Sequence, residues 1–238
     1  MENRQLELER TSPILVTGCA RSGTSLIAGI INICGAFGGN FMGRHNGATR
    51  YNKKGMFENA TIRERIDKGY LRSIGVDPKG QYPLPHTESM SIPADWKKKV
   101  DDVMLHDGYK EGPWFYKGAR SCLIWPIWNY AYPNAKWIIV RRRSADIAES
   151  CLNTAFMNKY SKYEEWIEWV RHHEQKFGEM INAGCNVKVI WPERLVRGDY
   201  EQLLEVVEWL NLKWKEKEVI DFISPKLWKA KIKQGMNV

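Results

Sequence analysis

The chain has 238 residues, 43% of them hydrophobic and 27% charged, a balance that excludes a disordered or fibrous protein and fits one α/β domain burying roughly 70% of the surface its unfolded form exposes. A net charge of +8, from 36 Lys plus Arg against 28 Asp plus Glu, favours an anionic partner: a nucleic acid, an anionic surface or a small polyanion. The amino terminus "MENRQLELERTS" has no apolar secretory core, and the longest apolar run, Leu26 to Cys34, is too short to span a bilayer, so a soluble, cytoplasmic protein without a membrane partner is expected.

The first predicted element is the β-branched run from Ile14 to Thr17, of the kind found in buried parallel strands. It leads through Gly18 to Gly23 into an apolar helix ending near Gly35. Residues 36 to 57 lack periodicity and read as a long surface loop, a common place for function. Ile62, Ile66, Tyr70 and Ile74 recur at helical spacing, as do Trp96, Val100 and Val103 after Pro93, which predicts two helices in the middle third. The lysines of "WKKKV" (96–100) are the wet face of the second. Strands return at "WFYKG" (114–118), "KWIIV" (136–140) and "VKVIW" (187–191). Between them a helix is predicted from a Ser144 cap, and a longer one carries Tyr163, Trp166, Val170, Phe177 and Met180 up to Gly184. Asp199 with Gln202 resembles a capping box opening the helix "YEQLLEVVEWL". Strands alternating with helices predict an α/β, three-layer P-loop-type fold: a central, mostly parallel β-sheet flanked by helices, one domain over residues 1–238, with ligands at the carboxyl ends of the strands. The loop and helix region of about 36–112 is expected to contribute to a second substrate's site.

Five cysteines form no C-x-x-C pair and no Cys/His cluster with ligand spacing, so no metal site is expected. They read as reduced core thiols, with Cys19 in the first loop as the one exception. The glycine loop is the informative stretch. Gly18-x4-Gly23 followed by Thr24-Ser25 nearly spells the triphosphate-binding pattern, but Thr24 stands where its lysine belongs, and the cation in the loop is Arg21. Converging backbone N–H groups at a helix start, the hydroxyls of Ser22, Thr24 and Ser25, and the Arg21 guanidinium make a cradle for a tetrahedral oxyanion; a plain βα turn with packing glycines is the alternative. The "KWIIV" strand then ends in Arg141, Arg142 and Arg143, where a nucleoside triphosphatase carries an aspartate for Mg²⁺. Arginines suit a second phosphate rather than a metal. Ser150, two helical turns on, can face the same strand end.

These motifs resemble those of sulfotransferases that use 3′-phosphoadenosine 5′-phosphosulfate (PAPS), in the style of bacterial sulfotransferase-like proteins. "GCARSGTSL" is similar to the 5′-phosphosulfate loop, with Arg21, Ser22, Gly23, Thr24 and Ser25 on its core and Ala20 in place of the usual proline. "WIIVRRRSADIAES" resembles the 3′-phosphate motif, with Arg142 and Ser150 at its spacing. "FYKGARSCLIWPIW" is similar to the strand bearing the family's lysine, here Lys117, and "NVKVIWPERLVRGDYEQLLEVVEWLNL" to its late strand, acidic loop and helix. The matches run in order from about residue 13 to 212. The resemblance implies in-line, metal-independent transfer of a sulfuryl group from PAPS to a hydroxyl or amine of a small-molecule, glycan or peptide acceptor, leaving adenosine 3′,5′-bisphosphate (PAP). It makes Arg21 the electrostatic catalyst and gives Lys117 a share of that role.

The histidine base of the animal cytosolic branch corresponds to Ala119 here, so the base is expected elsewhere. Glu58, in "YNKKGMFEN", resembles the segment after the phosphate loop of bacterial members and is the candidate base, against a reading as a first-turn helix residue favoured by the dipole. His86 and His106 are weaker candidates. The carboxy-terminal R-K-G element is missing, and "KAKIKQG" does not replace it. Trp114, Trp125 and Trp128 line either an apolar cleft or the core. Two further readings stay open: a degenerate P-loop kinase or triphosphatase, and a basic nucleic-acid-binding protein, the latter disfavoured because no recognised nucleic-acid motif accompanies the charge.

Overall fold

A computed structural model describes Leu8, residues 11–43 and residues 45–228; most of the amino-terminal segment and "KAKIKQG" lie outside the described residues. Four strands form one parallel sheet: β1 (Ile14–Thr17), β2 (Phe115–Lys117), β3 (Lys136–Val140) and β4 (Asn186–Ile190), in the order β2-β1-β3-β4. Strand pairing aligns Val16 with Lys117 and Thr17 with Ile139. The chain leaves β1 toward one edge and comes back to its other side at β3. The carboxyl ends of β1, β2 and β3 therefore lie side by side at the point where the strand order reverses, the place where open α/β sheets bind ligands. Thr17 reinforces this corner: its hydroxyl donates to Gly118 O (3.0 Å) and accepts from Cys122 N (3.1 Å).

Alternation along the strands assigns the two sheet faces. Ile14, Val16, Ile138, Val140 and Ile190 pack with Ile27, Ile30 and Ile31 of α1 (Thr24–Ile33) and with two later helices, α8 (Glu201–Trp209) and α9 (Glu216–Phe222). On the opposite face Leu15, Tyr116, Trp137 and Ile139 meet α3 (Trp96–His106), α4 (Trp125–Ala131) and α6 (Tyr163–Asn182). The result is the expected three-layer α/β arrangement. No helix among the described residues is long and apolar enough to cross a membrane.

Several local expectations need correction. The middle-third helix starts as a π-helix (Ile62–Asp67) and only then becomes α2 (Lys68–Ser73); the wider turn places Arg63 and Asp67 differently from an α-helix, and such turns recur at functional sites. Helix α5 spans Ser144–Leu152 with Arg143 as its cap residue and no capping side chain, because Ser144 is already helical. The capping box at α8 does not form: Gln202 Oε1 accepts from Trp191 N (2.9 Å), and Asp199 bonds Arg194 and Glu201 N. A short helix α7 (Pro192–Val196) precedes it. Trp114 and Trp128 are fully buried and Trp125 nearly so, all in the core. Trp96 and Val100 are buried, and Lys97, Lys98 and Lys99 pair with Asp101, Asp102 and Asp95, so that lysine run is a balanced helix face. Cys19 is no exception among the thiols: it is buried, and burial first of all raises its pKa well above the ordinary value. Cys185 is the half-buried cysteine.

Gly18 has a positive φ of 152°, and a Cβ there would lie 2.4 Å from Val140 O. Backbone oxygen cannot retreat without breaking the β1–β3 junction. Gly18→Ala is therefore expected to cost about 2–4 kcal/mol and to lower the melting temperature by about 10 °C, measured by thermal denaturation.

Candidate active site

A cavity of about 760 Å³ opens at the carboxyl ends of β1, β2 and β3, within the size range of small-molecule sites. The phosphate loop forms one wall. Gly23, at φ 103°, caps α1 without a side-chain hydrogen bond, and no acidic residue occupies the first turn. The first N–H groups of α1 thus keep their positive potential for an outside anion. Arg21, Gly23, Thr24 and Ser25 line the cavity. Ser22 does not. It is fully buried, its Oγ has no hydrogen-bond partner, and a Cβ on Gly18 would come within 2.9 Å of it, so it faces inward beneath the loop.

Arg21 is held in the left-handed region (φ 74°), a conformation that a non-glycine residue keeps only when its surroundings enforce it. Arg142 enforces it here: its Nη1 donates to Arg21 O at 3.0 Å. The Arg21 side chain turns to Ser150, Nε donating to Oγ at 3.1 Å. The structure thus brings Arg21, in the loop after β1, together with Arg142 after β3 and Ser150 on α5, more than a hundred positions later in the chain. Burial lowers the pKa of both arginines; Asp146 and Glu193 partly oppose it at Arg142, whereas Arg142 adds to the repulsion felt by Arg21. Arg142 Nε is buried without a hydrogen-bond acceptor, with Glu193 Oε1 3.9 Å away. The other two arginines of the run are engaged outside the cavity, Arg141 with Glu174 and Arg143 with Asp146. Trp228 lies over the Arg142 guanidinium, 4.4 Å from Cζ to the ring centre.

The opposite wall carries Lys117 and Glu58. Lys117 is buried, and its Nζ donates to Glu58 Oε1 at 2.6 Å. Glu58 precedes the helical segment and is buried, its Oε2 2.5 Å from Arg63 Nε, which replaces the helix-dipole reading by a buried ion-pair cluster. Burial alone would raise the Glu58 pKa, but Lys117, Arg120 and Arg63 together outweigh it and bring it to about 2. Burial in turn lowers Lys117, which Glu58 opposes. His86 and His106 are exposed and stand outside the cavity lining.

Among the lining residues that escaped the sequence reading are Arg120, Lys68 and His173. Arg120 had a signal, three positions past the strand lysine. His173 had none, because a histidine within an amphipathic helix reads as core. It is buried, and its Nδ1 lies 2.9 Å from Trp169 O; since a carbonyl only accepts, Nδ1 carries the proton in the neutral ring and Nε2 the lone pair. Burial lowers its pKa from 6.5 to about 4.

This predicts a pH effect. The unfolded imidazole takes a proton below about 6.5 and the folded one only near 4, so the contribution of His173 is full above pH 6.5 and is lost as pH falls to 4, by about 3 kcal/mol at most. Asp67, raised by burial from 3.8 to about 6, acts oppositely: the stability it contributes while protonated is lost as pH rises through 6. His173→Gln is expected to remove the acid-side loss and leave the Asp67 gain, so its melting temperature holds or rises between pH 6.5 and 4. A parent-like decline in the variant would refute this.

The backbone agrees with solved sulfotransferases across nearly the whole chain. Sulfotransferase STF1 from Mycobacterium tuberculosis H37Rv aligns over 92% of this chain and 73% of its own, with 12% identity and a TM-score of 0.50. The sulfotransferase domain from the curacin biosynthetic pathway covers 93% of this chain and 81% of that one at 12% identity, with a TM-score of 0.57. The sulfotransferase domain from the Synechococcus PCC 7002 olefin synthase covers 98% and 92% at 12% identity, with a TM-score of 0.55. The chain has a sulfotransferase fold. No family model and no curated protein sequence matches it significantly, so the sulfotransferase likeness is one of backbone architecture.

Proposed function

We propose that the protein is a sulfotransferase that transfers a sulfuryl group from PAPS to a hydroxyl or amine of a small-molecule, glycan or peptide acceptor, by in-line displacement that releases PAP. The observation that carries this reading is the pairing of two cations at one cavity: half-buried Arg21, whose Nε donates to a serine hydroxyl rather than to a carboxylate, and buried Arg142, with Glu193 Oε1 3.9 Å from its Nε. Such a pair suits a ligand with anionic groups at two separate positions. The uncapped start of α1 and the orphaned Nε of Arg142 support the fit of the residues to a 3′,5′-bisphosphorylated nucleotide.

In this reading α1 and Arg21 hold the 5′ end of the donor, and Arg142 with Ser150 holds the 3′-phosphate. PAPS supplies the sulfuryl group. Arg21 and Lys117 place positive charge where the leaving phosphate gathers negative charge, the kind of preorganised stabilisation that dominates many active sites. Glu58 takes the acceptor's proton. Its resting pKa of about 2 makes it a weak base while Lys117 is bound to it; with Lys117 turned toward the leaving group, the carboxylate loses one of the cations that lower its pKa, while Arg63 stays 2.5 Å away, and the pKa rises from that value.

The test is calorimetric titration with PAP beside 5′-AMP. Strong preference for the bisphosphate is expected, and equal binding of the two would overturn the donor assignment. Binding of ATP that requires Mg²⁺ and exceeds that of PAP would favour a kinase-like enzyme instead.

A further inference from the structure

The cation cluster on the acceptor side of the cavity is larger than donor binding needs. Arg120 leads into the short helical turn Ser121–Ile124 after β2 and lines the cavity. It is 9% exposed, and its Nε and Nη1 are buried with no hydrogen-bond acceptor. The carboxylates near it are spoken for. Glu58 is held by Lys117 and Arg63. Asp67 accepts from Tyr116 Oη (2.7 Å), Ser121 Oγ (3.3 Å) and Trp128 Nε1 (3.1 Å). Glu64 pairs with Lys68 at 2.8 Å and with Arg63. Lys68, also in the lining, has its pKa lowered to about 8, first by burial and then by Arg63 and Arg120.

A buried guanidinium with two idle donors is costly unless something accepts from it. Its planar fork matches an oxyanion, and it is aligned with further cations rather than against them. Arg120 has no part in the arginine pair of the phosphate loop, which Arg142 and Ser150 complete.

Resting on the sulfotransferase reading, we propose that Arg120, flanked by Lys68 and Arg63, binds an anionic oxygen group of the acceptor, a carboxylate or a phosphate, so that the enzyme selects hydroxyl or amine acceptors that carry a negative charge. The anion sits beside the reacting centre and orients the acceptor against Lys117 and Glu58. This also accounts for the +8 net charge without a nucleic acid: both substrates are anions drawn into one positive cavity.

The experiment measures binding of matched pairs to enzyme saturated with PAP: aryl and alkyl hydroxy acids against their methyl esters, and hydroxyalkyl phosphates against the parent diols. The anion is expected to bind at least about tenfold tighter than its neutral partner, in the carboxylate arm, the phosphate arm or both, and the arm with the larger ratio names the group. Arg120→Met is expected to bring the ratio close to one with PAP affinity unchanged, and Arg120→Lys to restore part of it. Melting curves check both variants, and Arg120→Gln replaces any that does not melt cooperatively. Neutral partners binding as well as anions, a ratio that survives in Arg120→Met, or equal loss of PAP affinity would each overturn the proposal. If PAP itself fails to bind the parent protein, the donor reading falls, while the anion preference is then read on enzyme alone and stands or falls separately.

Discussion

Arg142→Ala is expected to weaken PAP binding about 100-fold while changing 5′-AMP binding by only a few-fold. The expected size is that of losing a charge-assisted, buried hydrogen-bonding partner of a phosphate. The selectivity follows from geometry, because Arg142 stands at the end of β3 and the α1 start belongs to β1. A second consequence separates this from a general loss of fold: Arg142 Nη1 also holds the strained carbonyl of Arg21, so a modest drop in 5′-AMP affinity is expected from loosening of the loop. Arg142→Lys keeps the charge but loses the planar fork, and is expected to recover less than half of the lost binding energy. Calorimetry of the two variants with both nucleotides decides it; equal losses for the two ligands would remove Arg142 from the 3′-phosphate.

Lys117→Met is expected to lower kcat for sulfuryl transfer about 100- to 1,000-fold with little change in PAP affinity, the usual effect of deleting one preorganised donor at a developing charge. Folding should survive, because Glu58 keeps Arg63 at 2.5 Å. Some stability is lost, since removing one member of a buried ion pair leaves desolvated charge. Glu58→Gln in the same assay separates its two roles. If Glu58 is the base, the variant loses rate as steeply as Lys117→Met and gains nothing at higher pH. If Glu58 only positions Lys117, the double variant is no slower than Lys117→Met alone, a non-additivity that a double-mutant cycle reads directly. A parent-like rate in Lys117→Met would remove the lysine from the transition state.

The residues carrying these predictions differ in how legible they were. Arg21, Arg142 and Ser150 were readable because each belongs to a local pattern: a glycine loop after a strand, arginines at a strand end, a serine two turns into the following helix. Lys117 and Glu58 were visible one by one, yet their 2.6 Å pairing was not, since nothing local links a strand-end lysine to a loop glutamate almost sixty positions earlier. The burial of His173 and the unpaired donors of Arg120 were hidden for a different reason. A lone arginine or histidine has no periodic signal, and only the packing around it tells a surface charge from an orphaned donor or a buried ring. For Ser22 the pattern names a hydroxyl, but only the packing beneath the loop shows that its Oγ is buried away from the cavity lining.

What the sequence determined by itself was the order of the strands and of the main helices between them, because strand and helix periodicity, loop glycines and charge at strand ends are local properties of the chain. It also determined the absence of a triphosphate-type lysine at Thr24 and the supply of arginines in its place. The tertiary structure alone decided the strand order β2-β1-β3-β4, and with it the meeting of three loops at one cavity. It likewise decided the depressed pKa of Glu58, the burial of Cys19 and the idle donors of Arg120. Each of these depends on how much water and how many opposite charges surround a group once distant segments pack, and that sum over neighbours is not written in any one stretch of residues.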